Sequence, residues 1–182
     1  RALALLSNGR SSFAKLLIVG GETSEVSPET DKEVARLTDI ARSLGVLDRV
    51  TFVGRRSQEV LKYYYSAADV CVSTPWYEPF GLVPLESMAC GTPVIASEVG
   101  GMKGFHVPPK EPEVLASRLE LVLNSPGLRA SLGRKARERV EKFFTWHQVA
   151  RRMATVYADL LGHSAERPLD EATVFERPLH PA

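Results

Sequence analysis

Four short apolar runs recur along this chain: AKLLIVGG (14–21), DRVTFVG (48–54), ADVCVST (68–74) and TPVIASE (92–98). They are rich in β-branched residues and closed by Gly, Ser or Thr, and the segments between them carry the 3.6-residue period of amphipathic helices. A strand with a solvated face alternates apolar and polar residues, and these runs do not. They predict strands covered on both faces, so the fold class is α/β, a parallel sheet flanked by helices.

The intervening segments supply helix signals. Thr30 with Glu33 reads as a capping box for a helix whose apolar stripe is Val34, Leu37, Ile40, Ala41 and Leu44, with Gly45 as its stop. Ser57 caps a second helix running through Tyr65, and a third begins near Leu82 and ends at Gly91. FHVPP (105–109) is a last short strand closed by prolines, and Glu111 to about Gly162 is helical, broken at Ser125-Pro126-Gly127 and at Thr145-Trp146. The expected organisation is one domain over residues 1–162 and a polar tail over 163–182, which holds three prolines and shows no period. The opening RALALL starts in mid-pattern without a cap, as in a segment cut from something longer.

Charge narrows the function classes. With 23 Lys and Arg against 22 Asp and Glu, no general field attracts nucleic acid or an anionic membrane. No apolar run reaches the roughly 18 residues of a membrane helix, and RALALLSNG is not a signal peptide. Cys71 and Cys90, each in an apolar run, read as reduced core thiols, and a cytoplasmic location follows.

In open α/β sheets ligands sit beyond the carboxyl ends of the strands. The loops there are VGGETSE, FVGRRS, STPWYEPFG and SEVGGMKG. In STPWYEPFGLVPLE, Gly81 is the natural N-cap and Pro84 falls in the first helical turn, which leaves N–H groups of Gly81, Leu82 and Val83 pointing out of the helix start. Such a start acts as about half a positive charge with donors attached and suits a phosphate or diphosphate. Glu86, one turn in, would be repelled by that phosphate and suits neutral hydroxyls such as a ribose diol. Glu78, before Pro79, could meet a sugar hydroxyl from the other side. The competing reading makes Glu78 a surface loop residue and Glu86 a solvated or salt-bridged helix residue, and spacing alone leaves both open.

The stretch Glu78-Pro79-Phe80-Gly81-Leu82-Val83-Pro84-Leu85-Glu86, followed by SMACGTPVIA, resembles the signature of retaining, nucleotide-sugar-dependent glycosyltransferases of family four. The likeness extends through KLLIVGG, VTFVG, the Tyr63–Asp69 run, the STP turn, HVPP and FTWHQVA, about residues 15–155 in family order. The resemblance implies a GT-B fold, two Rossmann-like domains across a cleft, with this chain as the C-terminal, donor-binding half. It implies that Glu78 binds the transferred sugar at the reacting centre, that N–H groups of Phe80, Gly81 and Leu82 hold sugar hydroxyls and the β-phosphate, that Glu86 binds the ribose, and that Gly54 and Arg55 line the base pocket. It implies no metal and no cofactor. The co-substrate is a nucleotide sugar, by family frequency UDP-glucose first and GDP-mannose next, and the partner is an acceptor-binding N-terminal domain. An epimerase of the same fold and a catalytically silent scaffold are the rival readings.

Two departures accompany the resemblance. The family's phosphate-binding Arg and Lys would lie upstream of residue 1, and the loop after Gly100-Gly101 is about ten residues shorter than the family's. Arg55, Arg56 and Lys103 either supply phosphate charge or are ordinary solvated cations. GGMKG (100–104) opens no helix and is no dinucleotide fingerprint. His106, His147 and His163 lack metal-ligand spacing, and His106 reads as a strand position. Trp146 and Phe143-Phe144 read as packing residues, and neither a nucleophile elbow nor a Walker loop occurs.

Overall fold

The structure, a computed structural model, describes residues 1–6, 9–75, 81–98 and 105–162, Phe105 by its backbone alone. Residues 1–142 form one compact unit, and a second begins at Phe143. The expected tail at 163–182 lies outside the described residues.

All five expected strands are present: β1 (Leu16–Val19), β2 (Val50–Val53), β3 (Cys71–Ser73), β4 (Val94–Ser97) and β5 (Phe105–Val107). Every pairing is parallel. The ladders fall into two sheets, β1-β2 and β3-β4-β5, where the sequence predicted one. Leu16 faces Val50 in the first, while Cys71 faces Val94 and Ile95 faces Phe105 in the second. Burial is uneven in a way that uniform apolar runs do not reveal. Only β4, with a neighbour on each side, is buried at every residue, whereas Leu17 of β1 is 51% exposed.

Ile95 and Val107 form the centre of the core with Ala2 and Leu6 from the N-terminal segment and Ala116, Leu119 and Val122 from α5 (Pro112–Asn124). The first helix, α1, is a single turn at Ala2–Leu5. Arg49 ties this segment to the start of β2, donating Nη1 to the Ser12 carbonyl at 2.7 Å and Nη2 to the Leu3 carbonyl at 2.6 Å. On the other side, Met88, Val94 and Ala96 pack with Ala136 and Val140 of α6 (Pro126–Phe143).

The start of α2 (Lys32–Ser43) corrects the expected capping box. Asp31 is the N-cap, and its Oδ1 accepts from the N–H groups of Glu33 at 2.8 Å and Val34 at 3.1 Å. Thr30 is spent on a local turn, its hydroxyl 3.2 Å from that of Ser27. A carboxylate neutralises the helix dipole better than a hydroxyl, so Asp31 takes the cap. Gly45, at φ +67°, ends this helix as expected. The other helices are α3 (Gln58–Ala67), α4 (Leu82–Ala89) and, in the second unit, α7 (Trp146–Leu160). Ser57 precedes α3 but makes no side-chain cap. Thr145 caps α7 by accepting from the Gln148 N–H at 3.3 Å. His106 is exposed and Val107 buried, the alternation of a strand position.

Candidate functional site

The parallel strands place the candidate residues at strand carboxyl ends, as the ligand rule requires. Gly54 and Arg55 follow β2, and Gly81, Leu82 and Glu86 open the helix between β3 and β4. Glu78 and Phe80 lie outside the described residues, as does Lys103.

Gly81 adopts φ +86°, ψ +44°, a left-handed turn open to glycine, and this swings the chain into α4. Pro84 stands in the first turn and is buried. The Leu85 N–H already bonds to the Gly81 carbonyl at 3.2 Å, and Pro84 has no N–H. The donors left over at the helix start are therefore those of Leu82 and Val83, which find no partner among the described residues and sit on exposed residues.

Glu86 is half-buried one turn further on, and it is not solvated at random. The hydroxyl of Tyr65, from α3, donates to its Oε2 at 2.9 Å. Burial, and then this bond to Glu86, push the Tyr65 phenol well above its ordinary 10.0. The Cys71 thiol, beside the same helix, is also pushed up by desolvation, partly offset by a hydrogen bond with Ser87. Cys71 and Cys90 are both unpaired thiols, partly rather than fully buried.

The loop after β2 is fastened from below. Gly54 is buried so tightly that a Cβ there would lie 2.5 Å from the Ser24 carbonyl oxygen and 2.6 Å from that of Thr23. The next N–H, of Arg55, donates to the Thr23 carbonyl at 2.7 Å. Arg56 continues the clamp, its Nη1 donating to the Ser24 carbonyl at 2.8 Å and its Nε to the Tyr64 hydroxyl at 3.3 Å. Arg56 is therefore a structural cation, whereas the Arg55 side chain is exposed. Neighbours on α3 thus reach in two directions, Tyr64 to the β2 loop and Tyr65 to Glu86. An open cavity of about 1010 Å³ at the end of β1 is lined by Glu22, Glu25, Asp31 and Glu33, with Lys32 the one cation among the described residues that line it, which suits a diphosphate poorly.

Among the described residues no group of three or more His, Cys, Asp and Glu is placed to hold a metal, and no helix is long and apolar enough to cross a membrane.

The family model described as glycosyl transferases group 1 matches residues 1–139. The chain belongs to the glycosyl transferases group 1 family. It is 38% identical over 154 residues to a D-inositol 3-phosphate glycosyltransferase of Streptomyces bingchenggensis, covering 79% of this chain and 32% of that protein. A relative with the same description from Acidothermus cellulolyticus is 38% identical over 160 residues, covering 84% of this chain and 34% of that protein. The chain thus spans about a third of the length of these curated relatives. Among solved structures, the sucrose-phosphate synthase of Thermosynechococcus elongatus superposes with a TM-score of 0.74 at 41% identity, covering 90% of this chain and 41% of that one. HepE of Anabaena, solved with UDP-glucose, superposes with a TM-score of 0.73 at 24% identity, over 87% of this chain and 43% of that one. The fold of this group 1 chain is α/β, and its structural neighbours are GT-B glycosyltransferases.

The sequence singles out Glu86 and its helix start as candidates but gives no sign of the Tyr65 partner. The tyrosine stood in plain view in the YYYSAAD run, and nothing local says which of three adjacent tyrosines turns toward a residue twenty-one positions on.

Proposed function

We propose that this chain is the C-terminal, donor-binding half of a GT-B retaining glycosyltransferase that moves a hexose from a nucleoside diphosphate to an acceptor hydroxyl. The observation that carries the reading is an open helix start at Leu82 and Val83 with the carboxylate of Glu86 one turn beyond it, in a chain of the glycosyl transferases group 1 family. The two N–H groups suit the diphosphate, and Glu86 suits the ribose hydroxyls. Phe80 would add a backbone donor, Gly81 would shape the turn that presents the helix start, Glu78 would meet the hexose beside the breaking bond, and Gly54 with Arg55 would border the base. Arg55 has an exposed guanidinium available for that role.

In the proposed reaction the bond from the sugar's anomeric carbon to the β-phosphate oxygen breaks. A bond to the acceptor oxygen forms on the same face, and the acceptor proton passes to the departing diphosphate. Backbone N–H groups and cations would stabilise that leaving group without a metal. The acceptor-binding part would come from an N-terminal domain, in keeping with the third of each curated relative that this chain spans. The UDP-glucose complex of HepE supports a uridine nucleotide sugar as the first donor to try, with GDP-mannose next. We place the reaction in the cytoplasm, where Cys71 and Cys90 would stay reduced.

The test is ligand-observed NMR of the 182-residue chain with millimolar UDP, GDP and ADP. Saturable binding of one of them is expected. A folded chain that binds none would make it a silent scaffold and sink the reading.

A further inference from the structure

Glu86 and Tyr65 are joined by a closed ring of contacts. The Tyr65 hydroxyl donates to Glu86 Oε2 at 2.9 Å, and the Tyr65 carbonyl accepts from Thr92 Oγ1 at 2.6 Å. The Thr92 N–H in turn donates to the carbonyl of Ser87, the residue after Glu86, at 3.1 Å, and Ser87 Oγ returns a bond to the Thr92 carbonyl at 3.3 Å. Ser87 and Thr92 are buried, so this half of the ring exchanges little with water. The last turn of α3 is thereby fastened to the far end of α4, and the distance over which the phenol must reach is set by backbone rather than by chance.

A glutamate one turn inside a helix has three rotatable bonds and would otherwise sample several rotamers. Here one carboxylate oxygen is held, and among the described residues nothing else takes up the other. A phenol can donate a single proton, so Oε1 keeps its full accepting capacity and gains a fixed direction.

We infer that Tyr65 is a positioning residue that aims Oε1 of Glu86 at a vicinal diol, and so makes this site select ribonucleotides over nucleotides lacking the ribose hydroxyls. The inference rests on the nucleotide-sugar reading above and adds to it the residue that sets sugar selectivity within the nucleotide. Tyr65 acts through Glu86 and touches no substrate itself.

The experiment compares the Kd of the 182-residue chain for the best-bound of UDP, GDP and ADP with its Kd for the 2′,3′-dideoxy counterpart, by ligand-observed NMR titration. Wild type should prefer the ribonucleotide. Tyr65→Phe, which keeps the ring and removes the donor, should weaken ribonucleotide binding about 5-fold and leave the dideoxy Kd unchanged, so that the preference collapses. In a Glu86→Gln background the same Tyr65→Phe change should have no further effect on the preference, since the partner through which it acts is already altered. A merely structural tyrosine would weaken both nucleotides equally. Equal weakening, or an unchanged preference in Tyr65→Phe, overturns the inference while leaving the nucleotide reading intact. Absence of binding by wild type to all three nucleotides overturns both.

Discussion

Gly133, in the middle of α6, rests on the backbone carbonyl of Gly91, the glycine at φ +77° that ends α4. A Cβ on Gly133 would overlap that oxygen. Since the carbonyl belongs to the turn leading into β4, it has little freedom to retreat. Helix propensity alone would favour alanine over glycine by about 1 kcal/mol. Overpacking against backbone opposes that gain and outweighs it, so Gly133→Ala should destabilise by about 1–3 kcal/mol in urea titrations. Gly127 near the start of the same helix has open space around it, and Gly127→Ala should be neutral or slightly stabilising. If both substitutions stabilise, α6 is not seated on Gly91.

The Tyr65–Glu86 bond predicts a particular alkaline limb. The fold raises the Tyr65 pKa above its ordinary 10.0, so the folded state holds the phenolic proton more tightly than the unfolded chain does. Below pH 10 both states carry the proton and the stabilisation is complete. Above it the unfolded chain loses the proton first, so stability falls as pH rises through the interval up to the raised value. Other groups titrate there too, which makes the difference between wild type and Tyr65→Phe the quantity to measure. Tyr65→Phe should be less stable at neutral pH, and the gap should close above pH 10. A gap constant to pH 11 would mean that the phenol is not held by its surroundings.

Arg129 links three elements. Its Nε lies 3.1 Å from Asp69 Oδ1, and its Nη1 donates to the carbonyls of Leu123 at 3.1 Å and Val122 at 3.3 Å in the last turn of α5. Arg129 is 21% exposed and Asp69 is 63% exposed, so the ion pair itself is worth less than about 1 kcal/mol. The helix-end bonds are better shielded. Arg129→Met should therefore cost about 1–2 kcal/mol and Asp69→Asn less than about 0.5 kcal/mol. Equal losses in thermal melts would put the energy in the ion pair instead.

Much of the fold was legible because it follows from local periodicity. Four strands stand where the apolar runs put them and the fifth in the short FHVPP segment closed by prolines, and Gly45, Gly81 and Gly91 turn the chain where a positive φ is needed. What escaped is whatever depends on a neighbour distant in the chain. Thr30 matched the capping-box spacing, yet Asp31 was better placed because the Ser27 turn had already engaged the threonine hydroxyl. The apolar runs predicted equal burial, but burial depends on how many strands flank each one, and β4 alone among the described strands has both sides paired and every residue buried. Gly133 reads in sequence as a weak point of a helix, and its packing contact appears only when α6 meets the α4 turn. Arg55 and Arg56 looked alike as adjacent cations, and the fold separates them by giving Arg56 to Ser24 and Tyr64.

Gly54 should tolerate no side chain. Its missing Cβ lets the Thr23 and Ser24 carbonyls approach, and the Arg55 N–H bond to Thr23 depends on that approach. Gly54→Ala must push apart two backbone segments, at about 1–3 kcal/mol. It should also shift the exposed Arg55 and so weaken nucleotide binding. Full binding in a stably folded Gly54→Ala chain would remove this loop from the proposed base pocket.

The two acids of the motif should separate kinetically in a protein that joins this chain to its acceptor-binding part. Glu86 is held by Tyr65, and in its proposed role at the ribose it would contact a part of the donor that does not change during transfer. Its interaction is then equal in ground and transition states, and Glu86→Gln should raise the donor KM about 10-fold with kcat little altered. Glu78, assigned from the sequence to the transferred sugar, would act where charge develops as the anomeric bond breaks. Glu78→Gln should lower kcat about 100-fold while leaving the donor KM near its original value. Steady-state kinetics with varied donor distinguishes the two. A kcat loss at Glu86 with none at Glu78 would reverse the roles, and near-normal transfer by both variants would remove the acids from the site altogether.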